Sequence, residues 1–128
     1  MLKYIIIDDE PLAHEIIEEY CSMLPHLQLE KNCYSAMEAM QYLNKSTVDF
    51  IFLDINMPIM DGFEFLEKRK SSNLCRNSSI IILTSSGRPS DQKRAFEFHN
   101  VIDYIEKPLN YEKINHTLLK LRDEASNL

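Results

Sequence analysis

Four short apolar runs in this 128-residue chain each lead into a side chain that can do chemistry. Tyr4 to Ile7 is followed by Asp8-Asp9, Phe50 to Leu53 by Asp54, Ile80 to Leu83 by Thr84, and Val101 to Ile105 stops shortly before Lys107-Pro108. Brought to one place, these residues make a pocket of three carboxylates, one hydroxyl and one ammonium. Carboxylates crowded in this way raise one another's pKa unless a cation shares the site, so the set calls for a metal. Donors that are all oxygen, with no His or Cys among them, favour Mg²⁺ or a similar hard ion over zinc. Lys107 adds a second positive charge suited to an anion such as a phosphoryl group.

Each piece alone has a plainer meaning. Asp8-Asp9 is an ordinary turn at the end of a strand, and Thr84-Ser85-Ser86 an ordinary solvated or capping segment. Lys107 would be a surface charge before a helix, and Tyr104 an aromatic packed near a strand end. Their recurrence after successive apolar runs is what favours a shared site.

The elements that would carry them follow from periodicity. The four runs are nearly continuous rather than alternating and rich in β-branched and aromatic residues, as in strands buried on both faces of a parallel sheet. Leu27 to Cys33 is more polar and suits a sheet edge. Between the strands lie helical segments. Pro11 to Leu24 sets Leu12, Ile16, Ile17 and Tyr20 on one side, with Pro11 in the first turn. Ser35, with Glu38 three residues on, opens a helix to about Asn44. Asp61 caps another through Phe63, Phe65 and Leu66 to about Ser71, and Pro89 opens one to about Phe98. Asn110 caps the last, with Ile114, Leu118, Leu119 and Leu121 as its buried stripe.

Strand followed by helix, repeated along the chain, with right-handed crossovers, gives an α/β doubly wound, three-layer sandwich around a five-stranded parallel sheet. Hydropathy does not distinguish a Rossmann-like strand order from a flavodoxin-like one. In either, ligands bind at the carboxyl ends of the strands, where the reactive residues fall.

Composition narrows the function. The size and the 45% apolar content predict one domain over residues 1–128. The formal net charge is −6, and no cluster of Lys and Arg is dense enough to track a nucleic-acid backbone. No apolar stretch approaches the ~20 residues of a membrane span, and the start lacks a signal-peptide layout, so a cytoplasmic location is expected. Cys21, Cys33 and Cys75 fit neither a disulfide framework nor a zinc site. His14, His26, His99 and His116 show no ligand spacing, and none is given a role.

Taken in order, the motifs resemble those of bacterial response-regulator receiver domains. The matching pieces are Ile-Ile-Ile-Asp8-Asp9-Glu10-Pro11, Leu53-Asp54-Ile55-Asn56-Met57-Pro58-Ile59-Met60-Asp61-Gly62, Leu83-Thr84-Ser85-Ser86, and Asp103-Tyr104-Ile105-Glu106-Lys107-Pro108. The resemblance covers essentially the whole chain and implies a CheY-like, flavodoxin-like sheet of order 2-1-3-4-5. It implies Asp54 as phosphoacceptor, and Mg²⁺ bound by Asp9 directly, by Asp8 through water, by Asp54 and by the Asn56 carbonyl. Thr84 and Lys107 would bond the phosphoryl group, and Tyr104 would change rotamer as the switch flips. The Lys107-Pro108 peptide is expected to be cis. Ser85 stands where the family commonly has Ala or Gly, and Asn56 and Ser86 hold positions that tune the lifetime of the acyl phosphate.

The resemblance also implies partners: a histidine kinase or histidine phosphotransfer protein as donor, and a downstream effector or output domain. It allows a phosphorylation-dependent homodimer. The first half is similar to receivers that precede LytTR-type DNA-binding domains, the second to stand-alone receivers. Two other classes fit less well. A phosphohydrolase of the haloacid-dehalogenase type needs an Asp two residues after its nucleophile, where this chain has Asn56. A flavodoxin needs a phosphate loop after the first strand, where Asp8-Asp9-Glu10 would repel the phosphate.

Overall fold

The apolar runs form the strands of one parallel sheet, each lengthened by a residue or two beyond the run itself. In this computed structural model, residues 1–126 are described, with side chains through Leu121. The strands are β1 (Leu2–Ile7), β2 (Leu27–Cys33), β3 (Phe50–Asp54), β4 (Ser79–Thr84) and β5 (Val101–Glu106). The helices are α1 (Pro11–Cys21), α2 (Ala36–Leu43), α3 (Gly62–Ser72), α4 (Pro89–Phe96) and α5 (Tyr111–Ser126). Strand and helix alternate, and the sheet order is β2-β1-β3-β4-β5, as the resemblance implies. The order steps outward from β1 in both directions, so the switch point lies between β1 and β3, where a crevice opens at the carboxyl ends.

Side chains alternate across the sheet into two cores. On one face Ile5, Ile7, Ile51, Leu53, Ile80 and Ile82 meet α2, α3 and Ala95 of α4. On the other, Tyr4, Ile6, Phe50, Phe52, Ile81 and Leu83 meet α1 and α5. Burial on both sides explains why β3 and β4 read as unbroken apolar runs, whereas β2, at the edge, is half-buried.

The helix starts follow their capping residues. Ser35 accepts from the Glu38 amide, and Asp61 with Glu64 forms a reciprocal capping box. Asn110 accepts from the Lys113 amide at 2.9 Å. The buried face of α1 departs from expectation: Leu12 is 62% exposed, while Ala13, His14, Ile17 and Cys21 are buried. The spacing Ala13, Ile17, Cys21 (i, i+4, i+8) is what meets the sheet, and it turns Leu12 outward. On α5, Ile114, Leu118 and Leu121 are buried as expected, but Leu119 is half exposed.

At the amino ends of the strands, the buried guanidinium of Arg69 on α3 donates to the Cys75 carbonyl at 3.2 Å and the His99 carbonyl at 2.9 Å. These carbonyls belong to the loops that lead into β4 and β5.

Candidate functional site

The expected rim assembles at the carboxyl ends of the strands. Asp54 and Thr84 are the last residues of β3 and β4, Asp8 follows β1, and Lys107 follows β5. Asp8, Asp54 and Thr84 are buried. Lys107 Nζ lies 2.6 Å from Glu10 Oε1, 2.9 Å from Asp8 Oδ2 and 3.7 Å from Asp54 Oδ2. Carboxylate oxygens of Asp8, Glu10 and Asp54 all fall within 4.8 Å of one another. Asp9 is exposed and stands outside that cluster, though its charge still reaches Asp54.

The electrostatics follow from burial. Asp54 is pushed up from 3.8 to about 7, chiefly because burial penalises its charge. The Asn56 amide and Lys107 pull the other way, while Asp8 and Asp9 push further up. Lys107 also loses solvation, which favours its neutral form, but bonds to Glu10 and Asp8 and the Asp54 charge outweigh this and hold it above its ordinary value. The lysine is therefore charged at neutral pH. One ammonium faces three carboxylates, so the cluster stays net negative.

The donor chemistry suits a hard divalent ion. Every candidate ligand atom is oxygen, and the buried Asp8 Oδ2 has Lys107 Nζ, 2.9 Å away, as its partner.

A second network faces this cluster. Asn56 donates its amide N–H to Asp54 Oδ1 at 2.9 Å, while its side-chain Oδ1 accepts from Thr84 Oγ1 at 2.9 Å and from the Ser85 amide at 3.1 Å. The Ser86 amide donates back to Thr84 Oγ1 at 2.9 Å, and the hydroxyl of half-buried Tyr104 donates to the Ser86 carbonyl at 3.0 Å. Thr84 thus reaches Asn56 rather than Asp54. Gly62 permits α3 to begin against the tip of β3, since a Cβ there would lie 2.6 Å from Ile55 Cα and 2.8 Å from the Asp54 carbonyl oxygen. Lys107-Pro108 is cis, and the Lys107 amide donates to the Thr84 carbonyl at 2.7 Å.

All the residues singled out in the sequence lie at this rim except that Asp9 stands on its outer side. Glu10 stands in the quoted Asp8-Asp9-Glu10-Pro11 motif but is given no role by the sequence. Its position just before Pro11 was the available signal: it caps a helix that starts at the rim, and its carboxylate caps nothing in α1. His14 is a second omission; it is 1% exposed and bonded to the Asp8 carbonyl.

This fold and rim are those of a two-component signalling switch, and the chain belongs to the response regulator receiver domain family, whose model matches residues 4–119. Among relatives, the transcriptional regulatory protein BtsR of Escherichia coli (strain K12) is 32% identical over 126 residues, 98% of this chain and 50% of BtsR. The transcriptional regulatory protein MalR of Bacillus subtilis (strain 168) is 26% identical over 122 residues, 95% of this chain and 51% of MalR. The chain spans about half the length of these relatives. Among solved structures, the response regulatory domain of mrkE from Klebsiella pneumoniae superposes with a TM-score of 0.85 at 27% identity, covering 99% of this chain and all of that one. The chemotaxis protein CheY4 of Vibrio cholerae gives 0.81 at 25% identity, covering 94% and 98%. Among the described residues, no helix is long and apolar enough to cross a membrane.

Proposed function

We propose that this receiver takes a phosphoryl group onto Asp54 from a phosphohistidine of a histidine kinase or phosphotransfer protein. The observation that carries the reading is a buried Asp54 whose Oδ2 lies 3.7 Å from the ammonium of Lys107 and whose Oδ1 is linked through Asn56 to the Thr84 hydroxyl. Asp54 Oδ1 is engaged by the Asn56 amide, so Oδ2, facing Lys107, is the atom that attacks phosphorus. The P–N bond of the donor breaks, and its electron pair leaves with the imidazole. The new Asp54 O–P bond consumes the carboxylate charge, and the phosphoryl oxygens bring the negative charge that Lys107 then pairs with.

Asp8, Asp9, Asp54 and the Asn56 carbonyl are the proposed holders of Mg²⁺, with Glu10 close enough to join them. When bound, the ion would offset charge on the transferring phosphoryl group. Three carboxylates crowded around the single ammonium of Lys107 support this assignment.

The added group brings about −1.5 to −2 charge in place of one carboxylate. For Thr84 to bond it, the hydroxyl must leave Asn56 Oδ1, which frees the Ser85-Ser86 segment and, through the Ser86 carbonyl, Tyr104. The output is then a changed surface around α4, β5 and α5, read by an effector or by an output domain such as a regulator of BtsR's length has room for. Intact-mass analysis after incubation with a small phosphodonor tests the reading. One phosphoryl adduct is expected with Mg²⁺, and none with Asp54→Asn. An adduct indifferent to Mg²⁺, or one that survives the substitution, overturns it.

A further inference from the structure

Each polar atom of Asp8 has a partner, Oδ2 in Lys107 Nζ at 2.9 Å. Its amide donates to the Cys33 carbonyl at 3.0 Å, and its Oδ1 accepts from the Glu10 amide at 2.8 Å. Its own carbonyl is past the end of β1 and has no strand partner there. His14, on the first turn of α1, supplies the donor: Nε2 lies 2.8 Å from the Asp8 carbonyl.

The other side of the ring is also fixed. Asn32 Nδ2 donates to Glu18 Oε1 at 3.0 Å, which turns Asn32 Oδ1 toward His14, 2.6 Å from Nδ1. Both ring nitrogens therefore have a polar neighbour, and Tyr34 packs on the ring with centroids 4.3 Å apart. A buried ring held at both ends and across one face has a single orientation. The Glu10 amide and Lys107 hold the side chains of the turn, but Glu10, the N-cap of α1, makes no side-chain cap bond, so His14 is what holds the Asp8 carbonyl.

We propose that His14 is a positioning residue of the site: braced through Asn32 to Glu18, it fixes the Asp8 carbonyl and so sets the cation affinity of the Asp8-Asp9-Glu10 turn. The inference rests on the pocket being the cation-assisted phosphoacceptor described above. If the Asp8 carbonyl loses its donor, the peptide joining Asp8 to Asp9 is free to rotate. Rotation swings both carboxylates at once, and the geometry a small divalent ion demands is lost.

The test uses Mg²⁺ alone, titrated by calorimetry into the full chain, together with amide hydrogen exchange at Glu10 in metal-free protein. His14→Phe keeps the volume and the packing on Tyr34 and removes both bonds. Loss of a residue that orients a metal ligand weakens binding about tenfold or more, and Glu10 exchange should quicken by a comparable factor. Should His14→Phe not fold, Asn32→Leu on the half-buried edge strand removes the brace alone and carries the same expectation.

A polarity-swapped brace separates positioning from packing. Asn32→Asp sets two carboxylates against each other and should weaken Mg²⁺ binding, whereas Asn32→Asp with Glu18→Gln restores a donor-to-acceptor chain and should return affinity toward the parent. Mg²⁺ affinity and Glu10 exchange that stay at parental values in a folded variant overturn the inference, as does failure of the double variant to recover either. A parent chain that binds no Mg²⁺ overturns the cation reading of the pocket instead, and the exchange measurement still decides whether His14 holds the turn.

Discussion

Asp8 and Asp54 reach the rim from β1 and β3, whose inner residues are buried on both faces, whereas Lys107 and Tyr104 come from β5, an outer strand with two of its six residues buried. The acidic half is fixed by main chain and core: Ile5 to Ile7 and Phe50 to Leu53 are all inaccessible to solvent. In the other half β4 is buried as deeply, but the Thr84 hydroxyl, the Ser85-Ser86 loop and Tyr104 are held by individual side-chain bonds, from Thr84 and Ser85 to Asn56 and from Tyr104 to Ser86. A core-anchored strand end moves only if the packing behind it gives way, but a bond of that kind contributes only about 0.5–1.5 kcal/mol and can be exchanged for another. The pocket thus pairs a rigid acceptor with an adjustable reader.

Three measurements can break or sharpen this contrast. The largest effect should come from Phe52→Ala, which empties the middle of β3 beneath the acceptor and removes ring contacts to Tyr4 and Phe50. A loss of about 3–5 kcal/mol in urea unfolding is expected. A loss under about 1 kcal/mol would show that the acidic half is not anchored as described.

The second concerns the charge on Asp54. Its folded pKa, about 7, exceeds its ordinary 3.8, so the folded chain holds this proton to higher pH than the unfolded chain does. Its contribution to stability without added cation is greatest at low pH, falls between roughly pH 4 and 7, and is fully lost above that. Asp54→Asn should remove this fall and stabilise the metal-free protein near pH 8 by on the order of 2 kcal/mol. Parallel stability–pH curves for the two proteins would contradict the assignment.

The smallest effect belongs to the adjustable half. Tyr104→Phe removes one hydrogen bond, to the Ser86 carbonyl, and should cost about 1 kcal/mol or less. Amide exchange should quicken at Ser85 and Ser86 and stay unchanged at Ile51 to Leu53. A change that spreads into β3 would mean that the two halves are one unit.

The strands and the chemistry at their ends were legible because a doubly buried strand writes an unbroken apolar run, and Asp54, Thr84 and Lys107 mark where the runs stop. The strand order was not, since β1 and β3 are equally apolar whichever neighbours they have; it came from the motifs' resemblance to a family. Amphipathic helices were legible in extent but less so in rotation. Leu12 is expected on the buried side and His14 is given no role, yet Leu12 is exposed and His14 buried because Ala13, Ile17 and Cys21 decide which side of α1 meets the sheet. Bonds to main-chain oxygen, such as that from His14 to Asp8, leave no spacing pattern to read. The role of Glu10 does not show in its motif, since its carboxylate meets Lys107 from 97 residues away.

The clasp of Arg69 on the Cys75 and His99 carbonyls has a mechanical meaning. The loops feeding β4 and β5 are knotted to a single guanidinium at the foot of the sheet, while the tips of the same two strands carry Thr84 and Lys107. One side chain of α3 thus ties the bases of both strands together, and losing it would loosen the foot of β5 more than that of β4, which its packing on both faces also holds.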